Sequence, residues 1–368
     1  MKTVLSFLSI LLAAGTFAQA PKFTVIQNNP ATPVKNQGAS GTCWCFSSTA
    51  LVESELLFKK QPEADLSEVF TVYNLYIDKA DKYIRRRGTT RFTEGGLEQD
   101  MLYCRDTYGA IPQSVYPGVG NDAVLNKDGE MLEKLTGYLN DLLKKYPGAI
   151  PADWKTGYIS ILNSYLGAPP AKFTYNGKEY TPKTFAAENV SVKLSDYIGL
   201  TSFTHHPYYS TFAMEVPDNY NSNMYYNLPL NDLIGAVKQA IKNGYTIAWD
   251  VDVSNSGFNP GLGLAKWTSH ADDEKAFATF TEQTPTTEVR QQLFDTQVTQ
   301  DDHLMQITGL AKDEKGNEYF IVKNSYGPNA GPYGGYLYVS MPYFAINTIS
   351  VLVNKQALPP ALTSKTVE

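Results

Sequence analysis

The order of elements along this sequence predicts an α+β fold, with helices in the first part and strands in the last third. From Cys43 to Thr107, three stretches combine good helix formers with apolar residues at helical spacing, and Gly or Pro separates them. From Thr246 onwards, short runs of β-branched and aromatic residues are interrupted by Gly and Asn. Helices that come first and strands that come later favour α+β over an alternating α/β fold.

Each predicted element rests on its local pattern. We expect helices over residues 43–59, 66–85, 97–107, 130–146, 157–166 and 228–241. We expect strands over residues 246–251, 304–310, 318–322, 335–339 and 349–353. Loops rich in Pro and Tyr separate the helical patches in the middle of the chain.

These elements divide the chain into four predicted segments. Residues 1–18 form a signal peptide, 19–117 a helical lobe, 118–227 a helical insertion, and 228–368 a β-rich lobe with a C-terminal tail.

The first twenty residues have the pattern of an export signal. Lys2 supplies a positive charge, residues 4–14 form an almost unbroken apolar run, and small residues continue to Ala20. The run is shorter than the roughly 20 apolar residues that span a bilayer, so a retained membrane anchor is the weaker alternative. We predict cleavage after Ala18, because Pro21 follows the other site at Ala20. The mature protein is then secreted or periplasmic, with no membrane association.

Composition and charge argue against several functional classes. A hydrophobic content of 43% with 18% charged residues indicates an ordered globular protein. The net charge of −6 becomes −7 once Lys2 leaves with the leader, which argues against nucleic-acid binding. We interpret the basic run 85–87 as a solvated helix end. No group of His, Cys and acidic residues has metal-ligand spacing, so we expect no metal or organic cofactor.

The chain has three cysteines, at positions 43, 45 and 104. In an exported chain, an odd number leaves at least one free thiol, and catalysis is the simplest reason for one in an oxidising compartment. Cys45 lies one residue beyond Trp44, deeper in the helix, so we expect it to form a disulfide with Cys104. Two buried free thiols are the alternative.

Cys43 has the partners that a thiol nucleophile requires, namely a base, a group that orients the base, and donors to an oxyanion. Gln37 can offer a side-chain N–H to the oxyanion beside the backbone N–H of Cys43. His303 begins a predicted strand and Asn324 follows the next one, so adjacent strands can bring the two within hydrogen-bond reach. Pairing with His303 should lower the pKa of Cys43 well below its usual value.

The other three histidines are weaker candidates for the base. His270 lies in a polar loop that is not followed by a strand and an Asn. His205 and His206 lie in the Tyr-rich insertion, and we interpret them as surface or packing residues.

The segment around Cys43 resembles the nucleophile segment of papain-like cysteine peptidases. Residues 37–46 contain the family's Cys-Trp pair, and His303 and residues 323–327 and 334–336 are similar to its histidine and asparagine segments. The resemblance implies a two-lobe fold in which a helical lobe carries the nucleophile, a β-rich lobe carries the base, and a helical insertion lies between them.

Within that clan, the chain is most similar to the bleomycin hydrolase and aminopeptidase C branch. Ser40 stands where many papain relatives have a disulfide cysteine, which that branch also lacks. Residues 95–112 and 166–175 are similar to the branch, and the 260-residue separation of Cys43 and His303 fits its insertion. The resemblance implies aminopeptidase activity on peptide substrates and the formation of homo-oligomers.

The resemblance also assigns a substrate cleft to Gly95, Gly96 and Trp44. Paired glycines allow an extended peptide to approach the backbone closely. Tyr326 replaces the tryptophan that shields the His–Asn hydrogen bond in the family, so we expect weaker shielding. The branch uses a C-terminal arm to hold the substrate's free amine, whereas the tail that ends at Glu368 is predicted to be shorter.

Aminopeptidase activity is therefore the first prediction, and an endopeptidase with an open cleft is the second. A catalytically silent binding protein on the same fold is disfavoured, because none of the four site residues is missing. A transglutaminase-like acyltransferase is disfavoured, because such enzymes orient the base with Asp and lack a segment like residues 37–43.

Overall fold

The computed structural model describes residues 22–118, 128–268, 281–360 and 362. The predicted signal peptide and His270 lie outside these residues. Within them, no helix is both long enough and apolar enough to cross a membrane.

Helices form most of the first half of the described chain. They are α1 (Cys43–Phe58), α2 (Glu68–Arg85), α3 (Glu98–Tyr108), α4 (Asp128–Lys145), α5 (Trp154–Leu166), α6 (Pro182–Asn189), α7 (Leu230–Lys242), α8 (Thr287–Asp295) and α9 (Met341–Asn347). The helix α2 begins where the Ser67 side chain accepts a hydrogen bond from the backbone N–H of Phe70, at 3.1 Å. The bounds predicted from sequence for α1, α2 and α3 agree with the structure to within two residues.

Strands form most of the last third. They are β1 (Phe23–Asn28), β2 (Phe173–Tyr175), β3 (Lys178–Tyr180), β4 (Tyr197–Thr201), β5 (Thr211–Ala213), β6 (Met224–Asn227), β7 (Ile247–Val251), β8 (Phe258–Asn259), β9 (Leu264–Ala265), β10 (His303–Asp313), β11 (Glu318–Lys323), β12 (Tyr336–Ser340) and β13 (Thr348–Asn354). The five strands predicted from sequence correspond to β7, β10, β11, β12 and β13.

Eleven of the described strands form one large sheet, and β10 lies near its centre. This strand pairs antiparallel with β7, with β11 and, further along, with β1. In the β10–β11 pair Gln306 lies opposite Lys323, so the start of β10 lies beside the end of β11. The antiparallel pairing therefore brings His303 and Asn324 to the same end of these two neighbouring strands.

The segment 118–227, predicted as helical, is helical only in part. It contains α4, α5 and α6, but also the strands β2 to β6. Of these, β4 pairs with β13, and β6 and β5 continue the sheet outward from β4. These strands have three to five residues each, and β4 takes one partner from the far end of the chain, so local periodicity gives little sign of them. The strand β1 was missed for the same reason.

The helix α1 is packed directly against β10. The Ser47 hydroxyl donates to the backbone carbonyl of Met305 at 2.7 Å. The side-chain amide of Gln306 donates to the carbonyl of Ala50 at 3.0 Å and to the hydroxyl of Ser54 at 2.8 Å. Because these groups are buried, the hydrogen bonds fix the helix relative to the strand.

A buried ionic cluster ties the N-terminal extended segment to α1 and α2. The Lys35 ammonium lies 3.2 Å from the Glu53 carboxylate, 2.8 Å from Glu68 and 2.7 Å from Asp65. Both glutamates are almost fully buried, so Lys35 supplies the charge that offsets theirs.

The three cysteines are free thiols, and all are buried. The Cys45 sulfur lies 3.6 Å from the carbonyl of Glu68, and the Cys104 sulfur lies 3.7 Å from the carbonyl of Thr71. Each thiol can therefore donate to a backbone carbonyl of α2. The prediction of a Cys45–Cys104 disulfide is wrong, and the alternative of two buried free thiols is correct.

Candidate active site

Cys43 is the first residue of α1, at the end where helical N–H groups lack partners within the helix. Thr42 makes no side-chain cap, and no acceptor among the described residues binds the backbone N–H of Cys43. The positive end of the helix dipole thus lies at the thiol, where it favours negative charge on sulfur or on a neighbouring oxyanion. The residue is only 8% exposed.

His303 and Asn324 are joined by a hydrogen bond of 2.8 Å between Nε2 and Oδ1. The amide oxygen also accepts the backbone N–H of Ser325 at 2.7 Å, which fixes the orientation of the amide. In the tautomer that this bond requires, Nε2 carries the proton and Nδ1 remains as the basic nitrogen.

The ring of Tyr326 covers this pair. Its centroid lies 5.0 Å from that of the His303 ring, and the two planes are inclined by 32°. Tyr326 is itself 38% exposed, whereas His303 is only 4% exposed, so the phenol lies on the solvent side of a buried histidine. The aromatic contact expected at this position is present.

The Gln37 side chain is held at both ends of its amide. Its Nε2 donates to the carbonyl of Ser40 at 2.8 Å, and its Oε1 accepts the Ser325 hydroxyl at 2.5 Å. The backbone N–H of Gln37 also donates to the carbonyl of Ser325, at 2.9 Å. A primary amide has two N–H groups, so one remains to serve a ligand in the cleft.

Gly95 and Gly96 form a wall of the cleft that has no room for side chains. A Cβ on Gly96 would lie 3.1 Å from the Trp44 ring, and a Cβ on Gly95 would lie 1.7 Å from a carboxylate oxygen of Asp218. Trp44 donates its indole N–H to the carbonyl of Glu94 at 3.0 Å and is only 1% exposed. Trp44 therefore supports the glycine wall from behind, and almost none of its surface is available to touch a substrate.

These residues share one cleft of about 410 Å³. Its lining consists of Gln37, Ser40, Gly41, Cys43, Trp44, Arg91, Thr93, Glu94, Gly95, Gly96, Leu132, Asp218, Val253, Asp301, Asp302, His303, Leu304 and Tyr326. Asn324 lies behind His303, as its hydrogen bond requires. The residues predicted from sequence thus meet at one place, in a cleft whose volume is typical of ligand-binding sites.

Comparison with known proteins identifies the family. The sequence profile of the Peptidase C1-like family matches residues 89–368, which is roughly three quarters of the chain. The profile of the papain family of cysteine proteases matches residues 21–72, where Cys43 lies. The chain belongs to the Peptidase C1-like family.

Similar proteins carry the names expected from the sequence. Aminopeptidase C of Streptococcus thermophilus is 25% identical, over 88% of this chain and 81% of its own length. Bleomycin hydrolase of Homo sapiens is 25% identical, over 89% of this chain and 81% of its own length. The chain is thus a cysteine-type peptidase of the aminopeptidase C and bleomycin hydrolase type, as predicted.

Structural comparison finds the same fold in a solved protein. The crystal structure of PepW from Lactobacillus rhamnosis superposes with a TM-score of 0.73 at 22% identity, over 94% of this chain and 85% of the other. The predicted fold class is therefore confirmed.

The electrostatics at Cys43 differ from expectation. Burial raises the pKa of Cys43 to about 12, and the negative charges of Asp301 and Asp218 act in the same direction. Burial lowers the pKa of His303. The expected depression of the thiol pKa is absent, because burial outweighs the backbone hydrogen bonds at Leu304 and Trp44 that favour the thiolate.

An acidic group lies beside Cys43 that was not predicted from the sequence. Asp218, Asp301 and Asp250 come from three distant parts of the chain, and each looks unremarkable in its own segment. Burial raises the pKa of Asp301 to about 8, and Asp218 adds to the shift. Burial also raises the pKa of Asp250 well above its usual range, with Asp301 as the next contributor.

Among the described residues, one group has the geometry to hold a metal ion, namely His205, His206 and Glu215. The Nε2 atoms of the two histidines lie 2.8 and 3.0 Å from the Glu215 carboxylate. The His206 ring stacks on Phe212, with centroids 4.1 Å apart. The histidines thus have partners and packing of their own, and a metal would have to displace these hydrogen bonds.

Proposed function

We propose that this peptidase is an exported aminopeptidase that acts through Cys43, His303, Asn324 and Gln37. The observation that carries the proposal is the 2.8 Å hydrogen bond between His303 and Asn324 at the cleft that also holds Cys43. The names of the relatives, aminopeptidase C and bleomycin hydrolase, support a peptidase that removes N-terminal residues.

The first chemical step is acylation. Cys43 transfers its proton to Nδ1 of His303, and the sulfur attacks the scissile carbonyl carbon. The backbone N–H of Cys43 and the free N–H of Gln37 donate to the oxyanion that develops. His303 then gives the proton to the leaving amine, the C–N bond breaks, and a thioester remains.

Deacylation uses the same groups. His303 takes a proton from water, the hydroxide adds to the thioester carbonyl, and the carboxylic acid leaves as the sulfur regains a proton. Asn324 holds the imidazole in the tautomer and orientation that both steps need. Forming thiolate and imidazolium together avoids burying either charge alone, which matches the opposite pKa shifts of the two groups.

A product analysis tests this proposal. The mature protein is incubated with one peptide in two forms, with a free or an acetylated N-terminus, and the products are identified by mass spectrometry. We expect the free-amine form to lose N-terminal residues and the acetylated form to resist. Internal cleavage of both forms would support the endopeptidase instead.

Two cysteine variants test the nucleophile. Cys43→Ala should abolish turnover, whereas Cys104→Ala should retain it, because the Cys104 thiol is buried beside Thr71. Turnover by Cys43→Ala equal to that of the wild type would refute the thiol mechanism. Binding of peptide without turnover by the wild type would support the silent binding protein.

Export is the second part of the proposal. Expression of the full chain in a secreting host, followed by N-terminal sequencing of protein from outside the cytoplasm, should give a mature protein that begins at Gln19. A protein found only inside the cell with Met1 retained would contradict it.

A further inference from the structure

The cleft has a strongly acidic end. Among the described lining residues, four are carboxylates, at positions 94, 218, 301 and 302, whereas the permanent cation is Arg91. Three of the carboxylates already have donors. Glu94 accepts the backbone N–H of Gly41 at 2.6 Å, Asp302 accepts the N–H of Val253 and the hydroxyl of Ser254, and Asp218 accepts the hydroxyl of Thr93. Asp301 is the one with an oxygen, Oδ2, that has no donor within the described structure.

Asp301 is backed by a second carboxyl group, that of Asp250. Asp250 is fully buried, and neither of its oxygens has a donor within the described structure; the Oδ2 atom of Asp301 also lacks one. The two carboxyl groups are close enough for a hydrogen bond once one of them carries a proton. A pair that shares one proton still carries one negative charge, and a buried negative charge without a counterion favours the binding of a cation.

No cation among the residues that the structure describes is given a contact with Asp301. After burial, the charges that act most strongly on Asp301 are those of Asp218 and Glu98, and both are acidic. Lys79 lies behind the glycine wall and donates to the backbone carbonyls of Thr93 and Gly95. Its charge acts on Asp218, but it is not among the main influences on Asp301.

The acidic end lies on the glycine side of the nucleophile. Asp218 contacts Gly95 and is held by the Thr93 hydroxyl at 2.8 Å. Asp218 is also the strongest charged neighbour of Asp301, and both act on the Cys43 thiol. The carboxylates are therefore placed where the part of a substrate N-terminal to the scissile bond would lie.

We propose that Asp218 and the Asp250–Asp301 pair form an ammonium subsite that holds the free α-amino group of the substrate's first residue. This rests on the proposed aminopeptidase function and names the groups that would impose it. In a residue whose carbonyl is attacked, the amino nitrogen lies only about 2.5 Å from the carbonyl carbon. A carboxylate that binds this nitrogen must lie within about 3 Å of it, and hence close to the sulfur.

The subsite would also reject longer chains. A peptide bound with two residues before the scissile bond, instead of one, would place a neutral peptide group beside Asp218 and Asp301. That group offers a single N–H and no charge. A preceding residue would also move the free amine a further ~3.5 Å from the scissile bond. Products should therefore be single amino acids.

The experiment measures the ratio of kcat/KM for a free-amine peptide to that for its acetylated form. In Asp301→Asn and Asp218→Asn, this ratio should fall about 10- to 100-fold, because an ammonium loses a charged hydrogen-bond acceptor. The loss should appear on the free-amine substrate, with the acetylated one unchanged or faster. Asp302→Asn is the matched control, with the same charge change beside the same histidine, and should alter the ratio less than Asp301→Asn does.

A second comparison tests whether the C-terminus, and not the side chains, holds the free amine of the substrate. A variant that lacks residues 363–368 should keep the ratio if the side chains hold the amine. Loss of the ratio in the truncated protein, with the ratio retained in Asp301→Asn and Asp218→Asn, would overturn the proposal, as would release of dipeptides by the wild type. A wild type with no preference for the free amine would instead refute the aminopeptidase function itself.

Discussion

Replacement of Gln37 by Ala should lower kcat about 100- to 1,000-fold. The Gln37 amide is fixed by the carbonyl of Ser40 at 2.8 Å and the hydroxyl of Ser325 at 2.5 Å, which leaves one preorganised N–H for the substrate. Removal of one such oxyanion donor costs about 2.7–4 kcal/mol of transition-state stabilisation. Gln37 is buried, so bulk water does not compete for this donor in the wild type.

Steady-state kinetics on a free-amine peptide measure the effect. KM should change little, because the donor acts on charge that develops only after the sulfur attacks. Ser325→Ala is the matched control, since it removes only the hydroxyl that orients the amide. A neutral hydrogen bond is worth about 0.5–1.5 kcal/mol, so kcat of Ser325→Ala should fall about 2- to 13-fold.

The double variant with both Gln37→Ala and Ser325→Ala tests whether the Ser325 hydroxyl acts only by orienting the Gln37 amide. Because Ser325 acts through Gln37, the double variant should be no slower than Gln37→Ala alone. Full additivity of the two effects, or a kcat of Gln37→Ala within tenfold of the wild type, would refute this reasoning.

Three further predictions concern the histidine, the thiol and the ionic cluster. Asn324→Ala should lower kcat about 10- to 100-fold at similar KM, because the imidazolium loses its charge-assisted hydrogen bond; an unchanged kcat would contradict the role of Asn324. The rate of Cys43 alkylation by iodoacetamide, with Cys43→Ala as background, should rise with a midpoint below pH 6.5 and then level off, because burial lowers the pKa of His303. It should show no second rise up to pH 9, because burial raises the pKa of the thiol; a single rise near pH 8.5 would indicate an unpaired thiol. Lys35→Met should lower the free energy of unfolding in urea by about 3–5 kcal/mol, because it removes the ammonium that contacts the buried Glu53 and Glu68 and leaves only the more distant charge of Lys323. Adding Glu68→Gln should recover part of that loss, and an equal or larger loss in the double variant would contradict the ionic explanation.

The sequence predicted those features that local patterns encode. The helix that begins at Cys43, and the strands that begin with His303 and end before Asn324, each have a clear period and clear boundaries. The relation between His303 and Asn324 could also be predicted, because consecutive strands pair with each other more often than not.

Features that depend on distant contacts were missed. The strands β4 and β6 are short. The strand β4 joins the sheet by pairing with β13, more than a hundred residues away, and β6 then pairs with β4. The acidic group beside Cys43 was missed because Asp250 looks like an ordinary strand residue until Asp301 and Asp218 lie next to it. The pKa of Cys43 was predicted in the wrong direction, because pairing with a base was considered and the cost of burial was not.

The contacts between α1 and β10 bear on how this enzyme should respond to heat. Ser47 and Gln306 bind the helix of the nucleophile to the strand of the base, so sulfur and imidazole should stay aligned until the whole core melts. Gly95 and Asp218, on the opposite wall of the cleft, lie outside helices and strands. Their segments should therefore open at a lower temperature than the core does. Warming should therefore reduce the preference for free-amine over acetylated peptides before it stops turnover. Loss of selectivity, and not loss of rate, would then set the upper working temperature.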